Sequence, residues 1–396
     1  MQAKISEEKL EKWADYLLDH SLEGIDEDDV VMLKGEYISW PLIQVLKKKI
    51  IKAGAVPDVF LVEPDNDRGQ VWSAAMAKYG TMDQIKRVPD WVEERYDNMT
   101  KYIEILGAES PVLFANLPDK KSAAIKKADM PFKEIRLSKP WVLTLYPTKA
   151  FADMENMSLE EYTDVVMSTT LTDPNELDAI EQPIYEVMDA SDRVMIETVH
   201  PDENRDLKLT MSIKDRNIIK CTGKNNFPDG EVFTSPDANS VEGEIFVDLP
   251  VFFNGVNIRG IYLKIENGKI VDYDAQENAE TLKSIIETDK GSHRIGEVAV
   301  GMNKGLETAL KHPLFVEKVG GTLHIAIGES YPECYVDEPH SEEGQQKIDK
   351  LKETGVVNSS AQHVDIVVDF RKGGVGKAVH FDDKEIRSED NIWKVE

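Results

Sequence analysis

The chain of 396 residues has only two cysteines, Cys221 and Cys334, which lie far apart in the sequence. Two such residues cannot supply a disulfide framework, and they lack the paired spacing of a thiolate zinc site. The sequence also has no apolar run near the ~18–20 residues that cross a bilayer, and its first residues do not resemble a signal peptide. We therefore expect a reduced, cytoplasmic protein without a membrane partner.

Basic residues are also in short supply, since 47 Lys and Arg face 74 Asp and Glu and the formal net charge is −27. The acidic residues are spread along the chain, and a field of this sign repels phosphate backbones and anionic lipids. Nucleic acid is therefore excluded as an expected partner. Apolar residues still make up 41% of the chain, which is enough for a folded core and is not typical of a disordered protein.

The first half of the sequence alternates helical and strand-like segments. Apolar residues recur with helical spacing from Leu10 to Leu18, behind a possible cap at Ser6. Strand candidates follow, with helical segments between several of them: VVML from Val30, VFLV, VLFANL and WVLTLY. This alternation predicts an α/β domain with a mainly parallel sheet.

The pattern changes near residue 190, where short strand-like segments take over. RDLKLTMSI alternates apolar and polar residues as a half-buried antiparallel strand does, and Asn267-Gly268 separates two alternating runs, as in a β-hairpin. A polar loop is expected over about 339–354. Since one core rarely serves a chain longer than about 250–300 residues, we predict two domains: an α/β domain over 1–190, and an α+β domain over 191–396 with a mainly antiparallel sheet and a metal site.

Two of the eight histidines lie inside strand-like segments, where an apolar residue is usual. In HVDIVV, His363 and Asp365 are two residues apart, so a strand directs both side chains to one face and offers a nitrogen and an oxygen ligand. In TLHIAIG, apolar residues alternate around His324 and place it on the opposite face. Either His324 or Asp365 alone is more often an ordinary hydrogen-bonded residue, and only the set indicates a metal site.

Two glutamates could complete such a set. Glu231 follows a Pro-Asp-Gly turn, and Glu297 lies among apolar neighbours in RIGEVAVG, where an unpaired carboxylate would be costly to desolvate. A bound cation would remove that cost. The alternative for Glu297 is a partly exposed position beside Arg294.

Four segments in this order resemble the aminopeptidase T family of thermophilic metallopeptidases (M29): GKNNFPDGEVFTSP, RIGEVAVGMN, GGTLHIAIGESYPE and HVDIVVDF. Each segment alone is a weak signal, but four in register are specific. The resemblance implies that a metal pair is bound by Glu231, Glu297, His324, Tyr331, His363 and Asp365. It also implies a homodimer, an α/β N-terminal domain, and peptide substrates with free N-termini. The chain departs from the family in an acidic segment, VHPDENRD, and in a long segment after Tyr331.

Three carboxylates, two imidazoles and one phenol exceed the ligands of one four-coordinate zinc and indicate two divalent cations with a shared carboxylate. Zinc, cobalt, magnesium and manganese all suit such a set. A metal-bound hydroxide would attack the peptide bond while a free α-amine binds one cation, which predicts a metalloaminopeptidase. Glu297 is the expected proton acceptor, and Tyr331 is expected to be a ligand or an oxyanion donor.

Two other functions stay open from the residues alone. His324, His363 and Asp365 form a two-histidine, one-carboxylate triad of the kind found in iron(II) oxygenases, and ring-cleaving dioxygenases on a related fold are known. A mononuclear site of that kind would not need Glu231 or Glu297. The other alternative is a non-catalytic homologue that binds metal or peptide without turnover.

Overall fold

The structure is a computed structural model, and it describes residues 2–62, 71–72, 74–108, 119–253, 255–389 and 391–396. The chain divides into two compact units. The first unit comprises Met1–Pro174 and Gly223–Pro228, and the second comprises Asn175–Thr222 and Asp229–Glu396.

The helices and strands are numbered in chain order. The helices are α1 (Glu7–Asp15), α2 (Trp40–Lys52), α3 (Ala74–Tyr79), α4 (Met82–Lys86), α5 (Asp90–Asn98), α6 (Asp119–Leu137), α7 (Lys149–Met154), α8 (Leu159–Thr170), α9 (Pro174–Asp189), α10 (Ala279–Ile286), α11 (Pro313–Val316) and α12 (Glu342–Glu353). The strands are β1 (Val30–Glu36), β2 (Val56–Val62), β3 (Lys101–Leu106), β4 (Trp141–Leu145), β5 (Arg193–His200), β6 (Arg205–Ser212), β7 (Ile219–Cys221), β8 (Asn226–Phe227), β9 (Glu231–Thr234), β10 (Glu242–Val247), β11 (Val251–Phe253), β12 (Val256–Glu266), β13 (Lys269–Glu277), β14 (Ile295–Gly301), β15 (Thr322–Gly328), β16 (His363–Asp369), β17 (Gly376–Phe381), β18 (Lys384–Glu389) and β19 (Ile392–Val395).

The first unit is built on a parallel sheet in the order β2-β1-β3-β4-β8. Ser6 caps α1 by accepting a hydrogen bond from the backbone N–H of Lys9, as its position before the helical pattern predicts. The central strand β3 is not among the strand candidates, because its sequence KYIEIL carries two charged residues. The strand candidate at 112–117 lies outside the described residues.

The second unit contains two antiparallel sheets. The larger has the order β11-β12-β10-β6-β5-β17-β18-β19, with β13 paired to β12, and the smaller has the order β16-β15-β14-β9-β7. The predicted strand RDLKLTMSI forms β6, and Asn267 and Gly268 form the turn between β12 and β13 with positive φ angles. A parallel sheet with helices followed by antiparallel sheets confirms the predicted fold class.

Two details of the sequence-based organisation differ from the structure. Helix α9 precedes the predicted boundary near 190, yet Ile184 and Met188 are part of the buried core of the second unit, so the division lies before this helix. The segment 339–354, expected to be a loop, contains the helix α12, which begins after a cap at Ser341. Helical periodicity does not say which sheet a helix covers, and the polar composition of α12 obscured its helical pattern.

Candidate metal centre

One face of the smaller sheet gathers the candidate ligands. They stand on four adjacent strands, namely Glu231 on β9, Glu297 on β14, His324 on β15, and His363 and Asp365 on β16. Ala326 of β15 pairs with Glu297 on one side and with Asp365 on the other. Side chains of paired residues share a face, and so do side chains two residues apart on a strand. All five side chains therefore project from the same side of the sheet.

The opposite face of the same strands determines the register. Val298, Leu323, Ile325 and Ile366 are buried in the apolar core of the second unit. A slip of one residue would turn these aliphatic side chains out of the core and the ligands into it. The alternation seen in the sequence is therefore the reason that the histidines and carboxylates meet.

His324 lies at the centre of the first ligand group, and its side chain is 1% exposed. Its Nε2 is 3.6 Å from Glu231 Oε2, 3.8 Å from Glu297 Oε1 and 4.0 Å from Asp365 Oδ1. Two ligands at ~2.1 Å from one ion and at a tetrahedral angle would be about 3.4 Å apart. The three distances are slightly longer than this value, so each carboxylate oxygen is near enough to share an ion with His324 after a small shift.

His363 forms a second group beside the first. Its Nε2 is 3.0 Å from Glu297 Oε2 and 3.4 Å from Asp365 Oδ1. Its Nδ1 is 2.9 Å from the carbonyl oxygen of Glu329, to which Nδ1–H donates, and Nε2 is left to face the carboxylates. Glu297 therefore presents one oxygen to each histidine, while Asp365 Oδ1 is near both.

The unsatisfied atoms at this site fit a cation. Glu231 Oε2 and Asp365 Oδ1 are buried and accept no hydrogen bond from the part of the chain that the structure describes. Ligand atoms of Glu297, His324 and Asp365 all lie within 4.8 Å of one another. A buried, unpaired carboxylate oxygen is costly, and a divalent cation would satisfy it.

The charges of these groups depend on one another. Burial alone would lower the pKa of His324, but the neighbouring Glu297, Glu231 and Asp365 carboxylates raise it to about 9. Burial likewise opposes the positive charge of His363, and Asp365 and Glu297 raise its pKa well above the usual value. Burial would raise the pKa of Glu297, but the two histidines lower it overall. Without metal the imidazoles hold protons that a cation would displace.

Tyr331, in the loop after β15, lies over the second group. Its ring packs edge-on against the His363 ring, with centroids 4.8 Å apart, and against the Phe233 ring, with centroids 5.3 Å apart. Its backbone N–H donates to Ser235 Oγ, and the residue is 36% exposed. Partial burial and the Glu297 and Asp365 charges raise the pKa of the phenol.

Two residues that the sequence did not single out also reach the site, Glu317 and Lys318. Lys318 Nζ forms an ion pair with Glu231 Oε1 and lies 3.4 Å from Glu317 Oε2. Burial and the nearby Asp365 carboxylate raise the pKa of Glu317 well above its usual value. A Glu-Lys pair between secondary-structure elements is usually a solvated pair. The apolar residues on both sides of it, in FVEKVGG, were the available signal that it is buried.

A further polar cluster lies behind Glu231. Cys221, Asp229 and Glu231 bring ligand atoms within 4.8 Å of one another. Glu181 is fully buried, and its carboxyl oxygens accept no hydrogen bond within the described residues. Burial together with the Asp229 and Glu231 charges raises the pKa of Glu181 to about 10, so its carboxyl is neutral.

Burial raises the pKa of the Cys334 thiol to about 12, a value that does not suit a nucleophile.

Sequence comparison identifies curated relatives that align with part of this chain. Aminopeptidase 2 of Geobacillus stearothermophilus is 32% identical over 158 residues, which are 38% of this chain and 37% of that protein. Aminopeptidase T of Thermus aquaticus is 33% identical over 36% of this chain and 34% of its own length. Aminopeptidase AmpS of Bacillus subtilis (strain 168) is 34% identical over the same shares. The aligned part of this chain thus spans little more than one third of the length of these curated relatives.

Structural comparison extends over the whole chain. Wild-type AmpT from Thermus thermophilus has a TM-score of 0.72 and 18% identity, with 98% of this chain and 97% of that chain covered. The 2,5-dihydroxypyridine dioxygenase from Pseudomonas putida KT2440 has a TM-score of 0.56 and 14% identity, with 98% of both chains covered. At these identities the likeness concerns the fold.

The family match covers far more of the chain than the individual relatives do. The family model described as "Thermophilic metalloprotease (M29)" matches residues 6–385. This range includes most of both compact units and all of the candidate ligands. The chain therefore belongs to the thermophilic metalloprotease (M29) family, which confirms the resemblance of its four sequence segments.

Proposed function

We propose that this protein is a metal-dependent aminopeptidase that removes N-terminal residues from peptides at a dinuclear centre. The observation that carries the proposal is the division of Glu297 between two histidines. Its Oε1 is 3.8 Å from His324 Nε2, and its Oε2 is 3.0 Å from His363 Nε2. A carboxylate in this arrangement can bridge two cations, each with one imidazole.

The two positions would share Glu297 and Asp365. Glu231 and His324 would complete the first position, and His363 with Tyr331 the second. When bound, two divalent cations lower the pKa of a shared water towards ~7 and polarise the carbonyl of the substrate. Family membership supports a divalent metal, and a set of carboxylates and imidazoles accepts zinc, cobalt, manganese or magnesium.

The exposure of the ligands indicates the side from which a peptide enters. The side chains of His324 and Glu297 are 1% and 4% exposed, whereas that of His363 is 22% exposed and Tyr331 is 36% exposed. The substrate would therefore approach over His363 and Tyr331. If Tyr331 is not itself a ligand, its hydroxyl would instead donate a hydrogen bond to the oxyanion that develops on the scissile carbonyl. The carboxylates favour a cationic α-amine at this end of the substrate.

Proton transfer needs a carboxyl group whose two oxygens are not both occupied by metal ions. Glu297 is the candidate from the sequence, and it would act as acceptor from within the ligand set. Glu317 is the candidate from the structure, because it lies near Asp365 and burial raises its pKa. A raised carboxyl pKa makes the carboxylate a stronger base, which suits a group that accepts a proton and later returns it. We propose Glu317 as the proton carrier and Glu297 as the shared ligand.

The proposal is tested on protein from which metal has been removed with a chelator. One short peptide is offered in two forms, with a free and with an acetylated N-terminus, and divalent metals are added one at a time. Cleavage of only the free form, restored by metal, is the expected result. His324→Ala should abolish it. His380→Ala is the matched control, since His380 is also a strand histidine of the second unit with two glutamates at 3.9 and 4.0 Å. Cleavage of both peptides, or of neither with any metal, would refute an aminopeptidase.

A mononuclear iron dioxygenase is the second candidate, supported by the triad of His324, His363 and Asp365, in which both imidazoles lie within 4.0 Å of Asp365 Oδ1, and by the fold shared with the Pseudomonas putida enzyme. Glu231 and Glu297 oppose it, because both place oxygens within 4 Å of His324 Nε2. Metal analysis distinguishes the two: one iron per chain with oxygen uptake supports the dioxygenase, and two divalent ions with peptide cleavage support the aminopeptidase.

The setting of the protein is also proposed from the family resemblance and the composition. We propose a homodimer in the cytoplasm, which light scattering of the purified protein and fractionation of the source cells would test. None of the helices in the described parts of the chain is long and apolar enough to cross a membrane.

A further inference from the structure

Lys318 is a lysine with almost no access to water, since its side chain is 3% exposed. Its ammonium forms an ion pair with Glu231 Oε1, and lies 3.4 Å from Glu317 Oε2 and 3.8 Å from Asp229 Oδ1. Burying a lysine is expensive unless carboxylates surround it. Three carboxylates meet that requirement, and one of them is a candidate metal ligand.

The ion pair divides the two oxygens of Glu231 between different partners. Oε1 is held by Lys318, whereas Oε2 is 3.6 Å from His324 Nε2 and accepts no hydrogen bond within the described residues. An unconstrained carboxylate can bind a metal through one oxygen or through both. Here the geometry leaves one oxygen for the position beside His324.

The ammonium also accounts for the cluster of Cys221, Asp229 and Glu231. These three residues could hold a metal by their spacing, but Lys318 Nζ already lies beside both carboxylates. A divalent cation there would be close to a fixed positive charge in a medium that screens poorly. Lys318 therefore acts as the cation of this cluster and leaves the metal to the face with His324.

We propose that Lys318 is a positioning residue for the metal centre, which restricts Glu231 to one-oxygen coordination at the position beside His324. The inference rests on the proposed two-cation site and adds a residue that touches neither substrate nor metal. The position beside His363 has its own ligands in Glu297 and Asp365 and should not depend on Lys318. Loss of Lys318 should thus affect one of two cations.

The test is the binding of cobalt to the 396-residue chain after its metal has been removed with a chelator. Calorimetry measures the affinities, and the visible absorption of bound cobalt reports its coordination number. Lys318→Met should weaken one of two cobalt ions by about 10–100-fold, as loss of a residue that orients a ligand typically does, and should change the absorption spectrum. The other ion should keep its affinity within about twofold. Lys318→Gln provides a second uncharged variant if the first fails to fold, and Lys318→Arg, which keeps the charge, should restore part of the lost affinity.

Lys34→Met is the matched control. Lys34 is also a buried lysine, and its ammonium is 3.0 Å from Glu104 Oε1 in the first unit. This variant should lower thermal stability but leave both cobalt affinities and the spectrum unchanged. A merely structural role of Lys318 would give the same result as Lys34.

The outcomes separate this inference from the proposed function. Two cobalt ions in the wild type, with both affinities unchanged or both weakened equally in Lys318→Met and Lys318→Gln, would overturn the role of Lys318 alone. A single cobalt ion in the wild type would overturn the dinuclear centre, and the role of Lys318 then stands only if that ion is weakened at least tenfold. A wild type that binds no cobalt would overturn both.

Discussion

At the scale of single residues, the site contrasts two carboxyls that the sequence alone cannot rank. Glu297 faces a histidine with each oxygen, whereas Glu317 lies near Asp365 in a buried environment that raises its pKa. The first arrangement suits a bridging ligand. The second suits a group that carries protons, because a raised pKa makes its carboxylate a stronger base than an ordinary glutamate.

Glu317→Gln should therefore lower kcat by about 10²–10⁴-fold, the usual contribution of a general acid or base, while two cobalt ions still bind. Glu297→Gln should instead reduce cobalt binding itself. Steady-state kinetics and calorimetry on the same preparations measure the two effects. If Glu317→Gln loses metal together with activity, Glu317 is a ligand and not the proton carrier.

Glu181 gives a second prediction at this scale, because its pKa is about 10 in the folded chain and its usual value is 4.5. Between these values the unfolded chain has lost the proton and the folded chain retains it. The stability contributed by the neutral carboxyl is therefore complete below about pH 4.5 and declines as pH rises towards 10. The slope is about 1.4 kcal/mol per pH unit in the free energy of unfolding.

Glu181→Gln should remove this slope, so that the variant gains stability relative to the wild type from pH 5 to pH 9. Urea unfolding of chelated protein at several pH values measures the difference. Glu186→Gln is the control, since Glu186 is an exposed residue of the same helix. A constant difference for Glu181→Gln would contradict the buried, neutral carboxyl.

At the scale of elements, the turn of the β12–β13 hairpin contains a glycine that can be compared with one in a less crowded position. Gly268 has φ +72°, and a Cβ on this residue would lie 2.0 Å from the carbonyl oxygen of Ala238. Gly255 has φ +83° but open space around its Cβ position. The two glycines share the conformational requirement and differ in crowding.

Gly268→Ala should therefore destabilise the protein by more than Gly255→Ala, for which about 1–2 kcal/mol of left-handed strain is expected. The additional loss comes from the contact with Ala238, which requires the backbone to move. The midpoints of urea unfolding give the comparison. Equal losses in the two variants would show that the turn accommodates the side chain.

The strand β3 illustrates the limit of pattern reading at the same scale. Its sequence KYIEIL does not alternate cleanly between apolar and polar residues. The charged residue Glu104 is buried in the middle of a parallel sheet, where an apolar residue is usual. Lys34 of β1 pairs with it, and the Tyr102 hydroxyl donates to its other oxygen. A charged residue inside a strand is recognisable as a core residue only when its partners on neighbouring strands are known.

At the scale of the whole molecule, every candidate ligand belongs to the second unit. A cation that binds the folded state stabilises it by about 2.7 kcal/mol when present at a hundred times its Kd. The elements that hold the ligands should receive this stabilisation directly. These are the adjacent strands β9, β14, β15 and β16.

Adding metal to the chelated protein should therefore slow hydrogen exchange in these four strands and leave β1–β4 of the first unit nearly unchanged. Exchange followed by mass spectrometry measures this peptide by peptide. His324→Ala with the same metal is the control and should show little protection. Protection confined to other strands would place the metal elsewhere.

The sequence by itself determined what depends on local chemistry and short periods. The spacing of His363 and Asp365 sets a shared strand face, Asn267-Gly268 specifies a hairpin, and four segments in order identify the family. Each of these follows from residues near one another in the chain, for which backbone geometry suffices.

Only the tertiary structure decided which side chains from distant segments contact one another. In the structure, each oxygen of Glu297 faces a different histidine, and the ammonium of Lys318 pairs with Glu231 Oε1. Helix α9 packs into the core of the second unit. The physical reason is that these contacts join segments far apart in sequence. Their register is set by apolar packing on the opposite face of the sheet, and no local pattern reports it.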